Sequence, residues 1–391
     1  MNRESLASHT EGPWSIPPEL DPKPWLKAAP PSGRAVEAAL ATEAPDEAAF
    51  MALVRADPEI HLERMAQRAQ VLTRRQFGRT VQLYAPLYLS NYCSGGCAYC
   101  GYAADRQQPR LRLEADEIER ELTAMKQLGF EQVLLLTGEN SPHANFAYLE
   151  AAVRLAANIF HEVTVEAFPM TTDEYRALAE AGCTGVTIYQ ETYDPDAYPQ
   201  FHRWGPKRDY ARRLQAPERA LVGGLASVGL GALLGLSDPL FDALALYRHT
   251  RDLQSRFWRA AFSVSFPRLR PEAGGFSAPH PIDDRLLAQI IFAFRICLPE
   301  TTLVLSTREA PAFRDGLAGV GINRMSAGSR TTVGGYAGSV EDEGQFAVSD
   351  SRDVTTFSAM LRSRGLDPIF KNWDAAYRTV LSSPPAREVS A

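Results

Sequence analysis

Cys93, Cys97 and Cys100 stand in the run Leu89-Ser-Asn-Tyr-Cys-Ser-Gly-Gly-Cys-Ala-Tyr-Cys-Gly-Tyr102. A [4Fe–4S] cube usually takes four cysteine thiolates. Three at C-x3-C-x2-C spacing can ligate three irons and leave the fourth open to a small molecule. A structural zinc site calls for a fourth Cys or His close by. The next histidine here is His143, and the other two cysteines, Cys183 and Cys297, stand alone. Five cysteines in 391 residues do not make the paired framework of a small secreted domain. Cys183 and Cys297, in apolar surroundings, read as small core residues.

The spacing, with aromatic Tyr99 directly before the third cysteine, resembles the radical SAM superfamily. The resemblance implies a [4Fe–4S] cluster on Cys93, Cys97 and Cys100. It also implies S-adenosylmethionine as the molecule at the open iron, held by its amino and carboxylate groups, with Tyr99 against its adenine.

Composition narrows the class. A hydrophobic fraction of 45% is ordinary for a globular chain. The net charge of -6, with no basic cluster dense enough to suggest a phosphate-tracking surface, argues against nucleic acid as a partner. Ala220 to Ser237 carries no charge, but its five glycines suit a loop and a buried strand better than a membrane span. The N-terminus lacks a charged-then-apolar targeting pattern. With the free thiolates that an oxygen-labile cube needs, this gives the expectation of a reducing, cytoplasmic enzyme with no membrane contact.

These residues need a scaffold. Residues 1–35 are proline-rich and read as an extended arm; residues 36–77 read as helices, broken at Asp57-Pro58. From 78 to 391 short apolar runs alternate with amphipathic segments, and we treat this stretch as one domain. Strands are expected near 84–90, 133–137, 163–168, 185–190, 228–234, 262–266, 302–306 and 320–326. Thr171-Thr-Asp-Glu174 is a capping box, and Asp283 reads as an N-cap. Eight strands alternating with helices predict an α/β fold, a parallel (β/α)8 TIM-type barrel with an N-terminal helical extension.

Such a barrel builds its site at the C-terminal ends of its strands. There the sequence places the cysteine loop, Gly138-Glu139, Glu166, Gln190-Glu191, Arg268 with Arg270, Ser306 with Arg308, and Ser326 with Gly328. Gly138 permits close backbone approach, and Glu139 can accept from an ammonium group. Glu166, Gln190 and Glu191 suit ribose hydroxyls or an amino acid end. Arg308 suits bidentate capture of a carboxylate, with Ser306 on the same strand face. For any one of these, the plain alternative is a surface ion pair or a loop cap. Tyr84, Tyr88 and Tyr102 either line the pocket or pack.

The resemblance then becomes specific. Tyr84-Ala-Pro-Leu-Tyr-Leu-Ser-Asn-Tyr-Cys93, Thr137-Gly-Glu139, Tyr189-Gln-Glu-Thr-Tyr193, Gly229-Leu-Gly-Ala-Leu-Leu-Gly-Leu-Ser-Asp238, Ser263-Val-Ser-Phe-Pro-Arg-Leu-Arg-Pro271, Leu305-Ser-Thr-Arg-Glu309, Ser326-Ala-Gly-Ser329 and Gly334-Gly-Tyr336 resemble the ThiH family. These are the radical SAM tyrosine lyases, or 2-iminoacetate synthases, of thiamine biosynthesis. Lys371-Asn-Trp-Asp374 is similar to the end of that family. The resemblance runs from about residue 45 to 377.

It implies that a 5′-deoxyadenosyl radical takes a hydrogen from L-tyrosine, and that the Cα–Cβ bond breaks to give 2-iminoacetate (dehydroglycine) and p-cresol. The imine would pass to thiazole synthase, and a flavodoxin-type protein would supply electrons. Tyr99, Gly138, Glu139, Glu166 and Gln190 would face S-adenosylmethionine; Ser306 and Arg308 would hold the amino acid end of tyrosine. The related hydrogenase maturases (HydG) add C-terminal cysteines for a second cluster, and no cysteine follows Cys297 here. Two alternatives remain at this level. One is a radical SAM enzyme for another aromatic substrate, similar to the tryptophan lyases or deazaflavin synthases. The other is a non-catalytic iron–sulfur protein. Gly95-Gly96, where the family often carries a polar pair, is expected to loosen the cluster loop.

Overall fold

The computed structural model describes residues 23–270, 275–338 and 344–371. The first 22 residues of the proline-rich arm, and Asn372-Trp373-Asp374 of the closing motif, lie outside these. Short helices Lys23–Leu26 and Gly33–Ala41 come first, the second starting inside the segment read as an arm. Helices Glu47–Val54 and Pro58–Phe77 come next, separated where Asp57 caps the second and Pro58 takes its first position. They lie on the helix Asp284–Cys297, where the Gln289 amide donates to Leu53 O and Ala56 O, both at 2.8 Å.

Among the described residues, ten strands form one all-parallel sheet: β1 (Thr80–Tyr84), β2 (Pro86–Tyr88), β3 (Gln132–Leu136), β4 (Glu162–Glu166), β5 (Gly185–Glu191), β6 (Ser227–Ala232), β7 (Ala261–Ser265), β8 (Thr302–Leu305), β9 (Arg324–Ser326) and β10 (Asp367–Ile369). β1 pairs with β9 and β2 pairs with β3, yet only Ala85 separates β1 from β2. The sheet therefore closes into a ring through residues 80–88, and the eight expected strand positions are all present. β10, which the sequence reading did not anticipate, pairs with the start of β1. Phe370 O also accepts from Glu131 N at 3.3 Å, so β10 wedges between β1 and β3 at the bottom of the ring.

Apolar runs such as Val133-Leu-Leu-Leu136 are buried because helices cover one face and the barrel interior the other. The expected helix starts are formed: Thr171 and Glu174 make a reciprocal capping box, and Asp283 accepts from Leu286 N at 2.8 Å. The uncharged stretch 220–237 ends a helix, turns at Gly224 (φ 99°) and enters β6. Among the described residues, no helix is long and apolar enough to cross a membrane.

Candidate active site

The cluster loop leaves β2 and is pinned along its length. Asn91 donates to Pro109 O at 2.9 Å and accepts from Leu111 N at 2.7 Å. The Arg110 guanidinium bonds Asn91 O, Tyr102 O and Ala103 O, which ties the two ends of the loop together. Cys93 Sγ accepts from Gly95 N and Glu139 N, both at 3.3 Å. The middle of the loop pairs with residues 201–204: Gly96 N donates to Trp204 O and Ala98 N to Phe201 O.

The loop is therefore packed rather than loosened by its glycines. A Cβ on Gly96 would lie 2.2 Å from the Trp204 ring, so glycine is what lets the indole seat against the loop. Gly138 also makes its close approach to protein. A Cβ there would lie 2.6 Å from Tyr92 O and 2.8 Å from Cys93 Cβ.

All three cysteines line one chamber. Among the described residues, no trio of His, Cys, Asp or Glu is close enough to hold a single metal ion. Burial pushes all three thiols up, Cys93 to about 11; neighbouring thiols add to this at Cys93 and Cys97, while Lys207 pulls against it at Cys97 and Cys100. Metal binding must therefore displace their protons. Gln345 Nε2 points at Cys100 Sγ (3.8 Å), and its Oε1 accepts from the Tyr88 hydroxyl at 2.8 Å, which fixes the orientation of the amide.

A buried charge network forms the opposite wall. Arg213 donates to Glu139 Oε1 at 2.8 Å and to Tyr189 O at 2.6 Å, and approaches Glu191 at 3.8 Å. Lys207 bonds Glu191 as well. β5 shifts register between Tyr189 and Glu191, and Glu191 has φ 72°. This strained bulge turns both side chains into the chamber. Burial would raise the Glu191 carboxyl, but Lys207 and Arg213 outweigh it and hold it low. Glu139 Oε2 and Thr137 Oγ1 are buried with no partner among the described residues, two polar atoms left open to a ligand.

A second chamber adjoins the first and shares Tyr88, Leu136, Glu166, Tyr189 and Gln345 with it. Ser306 and Arg308 line it from the end of β8. The Arg308 guanidinium lies 3.3 Å over the Phe346 ring centroid and has no ion-pair partner among the described residues. Thr307 N donates to Ser326 Oγ at 3.0 Å, which fixes the strand end beneath it. Glu166 sits at the junction of the chambers, its carboxyl pushed up to about 7 by burial and then by Glu191.

Thus Cys93, Cys97, Cys100, Gly138, Glu139, Glu166, Ser306 and Arg308 converge on the two chambers. Gln190 faces the other way, with its amide toward Tyr210 O at 3.5 Å; Tyr189 and Glu191 on either side of it face inward. Tyr99, whose alternative to an adenine contact was a buried aromatic, is buried against His202 and does not line either chamber. Burial and Lys207 lower His202 to about 3, so its neutral ring donates from Nδ1 to Tyr198 O. The ring's Nε2 then accepts from the Tyr99 hydroxyl at 2.9 Å. Arg268 and Arg270 are spent on buried Glu309. Lys207, Arg213, Tyr189, Gln345 and Phe346 were missed. The basic run Arg203–Arg213 was a signal for the first two; nothing local marks Gln345 or Phe346.

The radical SAM superfamily model matches residues 87–245, and the Biotin and Thiamin Synthesis associated domain matches 265–367. Over 327 residues the chain is 41% identical to the 2-iminoacetate synthase of Escherichia coli (strain K12), covering 83% of this chain and 87% of that protein. The chain belongs to the 2-iminoacetate synthase family. The Salmonella typhimurium 2-iminoacetate synthase matches at the same 41% over the same shares of each chain. Among solved structures, the FeFe-hydrogenase maturase HydG from Carboxydothermus hydrogenoformans superposes with a TM-score of 0.82 at 30% identity, over 92% of this chain and 82% of that one. As a member of this family the chain is a radical SAM lyase, with a [4Fe–4S] cluster and S-adenosylmethionine as its cofactors. The three converging thiols and the unpartnered carboxylate oxygen beside them fit that pair.

Proposed function

We propose that this 2-iminoacetate synthase cleaves the Cα–Cβ bond of L-tyrosine to 2-iminoacetate and p-cresol, for the thiazole of thiamine. The observation that carries the substrate is Arg308, a cation without an ion-pair partner among the described residues, in a chamber joined to the cluster's. A lone guanidinium in a half-buried pocket calls for a carboxylate.

Bound in its chamber, the cluster would supply the electron for reductive cleavage of S-adenosylmethionine, the source of a 5′-deoxyadenosyl radical. The residues position and shield. Cys93, Cys97 and Cys100 would hold the cluster, and Glu139 Oε2, buried without a partner among the described residues, would accept from the cofactor's ammonium group. Gly138 supports the loop that brings Glu139 there. Glu166, between the chambers, meets ribose hydroxyls or the substrate's amino group. Arg308 and Ser306 fix the amino acid end of tyrosine, so that one face of the substrate meets the radical. Tyr99 and Gln190 act behind the site, through His202 and through the helix at Tyr210. The closed barrel excludes water from the radical.

The product imine would go to thiazole synthase, and a flavodoxin-type protein would reduce the cluster. The associated domain over 265–367 supports the thiamine setting. Free thiols and an oxygen-labile cluster support a cytoplasmic location.

The test is substrate selectivity of the reconstituted protein. L-Tyrosine should give p-cresol, whereas tyramine, which lacks the carboxylate, should give none. Equal turnover of tyramine, or turnover of L-tryptophan in preference, would refute the assignment.

A further inference from the structure

The strongest unexplained surface feature lies on the outside of the cluster loop. Trp204 is 40% exposed although its ring packs on Gly96. The cover here is thin. A Cβ on Gly95 would lie 3.5 Å from Cys93 Sγ and 3.8 Å from Cys97 Sγ. A Cβ on Gly205 would lie 2.5 Å from Ser94 O and 2.8 Å from Gly95 Cα. One layer of glycine backbone therefore separates the cluster thiols from the exposed indole.

The same segment concentrates positive charge in an acidic chain. Residues 203–213 carry Arg203, Lys207, Arg208, Arg212 and Arg213 against a single acid, Asp209, while the whole chain has net charge -6. Lys207 and Arg213 turn inward to Glu191 and Glu139. Arg203, Arg208 and Arg212 stay exposed. Arg203 stacks 4.5 Å over the Trp204 ring and pairs with Asp105. Among the described residues, Arg208 and Arg212 reach only the carbonyls of Arg203 and Pro169 with their side chains, both at 3.4 Å, so their charge is free to act outward.

An exposed aromatic stacked by one arginine, with two more exposed arginines on the same short segment, has the composition of an interface core. We infer that the face of Trp204, Arg203, Arg208 and Arg212 docks a small acidic protein that donates one electron to the cluster. This rests on the radical SAM reading, in which the cluster must be reduced before each cleavage. Charge of opposite sign steers such a donor, and the small footprint suits an electron-transfer encounter, which needs fast release rather than tight binding. A second copy of this chain, itself acidic, is the other occupant that the charge would admit.

The experiment uses the full cluster-loaded chain without tyrosine or S-adenosylmethionine, so it does not depend on the substrate reading. Cluster bleaching is monitored by stopped flow with fully reduced flavodoxin, an acidic donor, and separately with photoreduced deazariboflavin, a small uncharged donor. Two variants are compared with wild type: Arg208→Glu with Arg212→Glu, and Trp204→Ala. With flavodoxin, the wild-type rate should fall with added salt. The double reversal should slow it about tenfold and flatten the salt dependence. Trp204→Ala should slow it severalfold. Reduction by deazariboflavin should be unchanged in both. A double reversal reduced by flavodoxin at the wild-type rate would overturn the docking face. Equal slowing with both donors would also overturn it, because the effect would then lie at the cluster. Self-association of wild type that the double reversal abolishes, with flavodoxin reduction unaffected, would give the face to a second copy. A wild-type chain that forms no cluster would refute the radical SAM reading instead.

Discussion

Gly138→Ala puts the seating of the cluster loop to a quantitative test. The new methyl would lie 2.6 Å from Tyr92 O and 2.8 Å from Cys93 Cβ, where ordinary contact begins at 3.4 Å. Both neighbours belong to the cluster loop itself, so no flexible side-chain end can swing aside. The end of β3 and the cluster loop must separate by about 0.8 Å to reach that ordinary contact. Overpacking of this kind costs about 1–3 kcal/mol. The separation also stretches the Glu139 N bond to Cys93 Sγ, now 3.3 Å, and displaces the Glu139 carboxylate from the chamber. We expect a lowered midpoint of urea unfolding and a cluster content well under that of wild type after anaerobic reconstitution, read as iron and sulfide per chain. Gly33→Ala is the control, since nothing lies within 4 Å of its added Cβ at the start of a helix. It should leave both readings unchanged. Full cluster content and wild-type stability in Gly138→Ala would show that this glycine does not seat the loop.

Three further outcomes are expected. Arg308→Ala should raise the KM for tyrosine about 10- to 100-fold, from loss of a charge-assisted bond of about 1.5–3 kcal/mol, while cluster content holds; an unchanged KM removes Arg308 from the substrate chamber. The Glu166 carboxyl titrates near 7 in the fold and near 4.5 when free, so ionising it opposes folding, and apoprotein stability falls as pH rises through that window. Glu166→Gln should therefore gain on wild type by up to about 3 kcal/mol at pH 8 and not at all near pH 4, measured by urea unfolding; a pH-independent difference contradicts the shift. Gln345→Leu removes the N–H aimed at Cys100 Sγ, so the cluster should become harder to reduce, by up to about 59 mV; an unmoved potential in a redox titration shows that the amide does not reach the sulfur.

Much of this site was legible because parallel barrels place chemistry at strand ends, and the sequence marks those ends with polar residues after apolar runs. Glu139, Glu166 and Arg308 were found that way, and Cys93, Cys97 and Cys100 by their spacing. The side on which a strand-end residue points was harder to read. Period-two alternation sets Glu191 and Tyr189 on one face, and a bulge with a left-handed φ at Glu191 aims that face into the chamber. Gln190 therefore turns away from it. Arg268 and Arg270 read from sequence as either ligand groups or an ordinary ion pair, and only the fold shows Glu309 between them. Gln345 and Phe346 arrive from a loop beyond the last barrel strand of the ring, tied back by Ser349 N and Asp350 N to Thr307 O. No local pattern announces such a long-range return. β10 was invisible for a related reason: three residues, Asp367-Pro-Ile369, carry no strand periodicity and are recruited by the open edge of β1.

The most direct measurement of the tyrosine lyase chemistry is product analysis. The protein is reconstituted anaerobically with iron and sulfide, then given dithionite, S-adenosylmethionine and L-tyrosine. We predict that p-cresol and 5′-deoxyadenosine appear together, both dependent on Cys93, Cys97 and Cys100. A well-formed cluster that yields 5′-deoxyadenosine without p-cresol would contradict the tyrosine lyase assignment, and one that yields neither would contradict the radical chemistry itself.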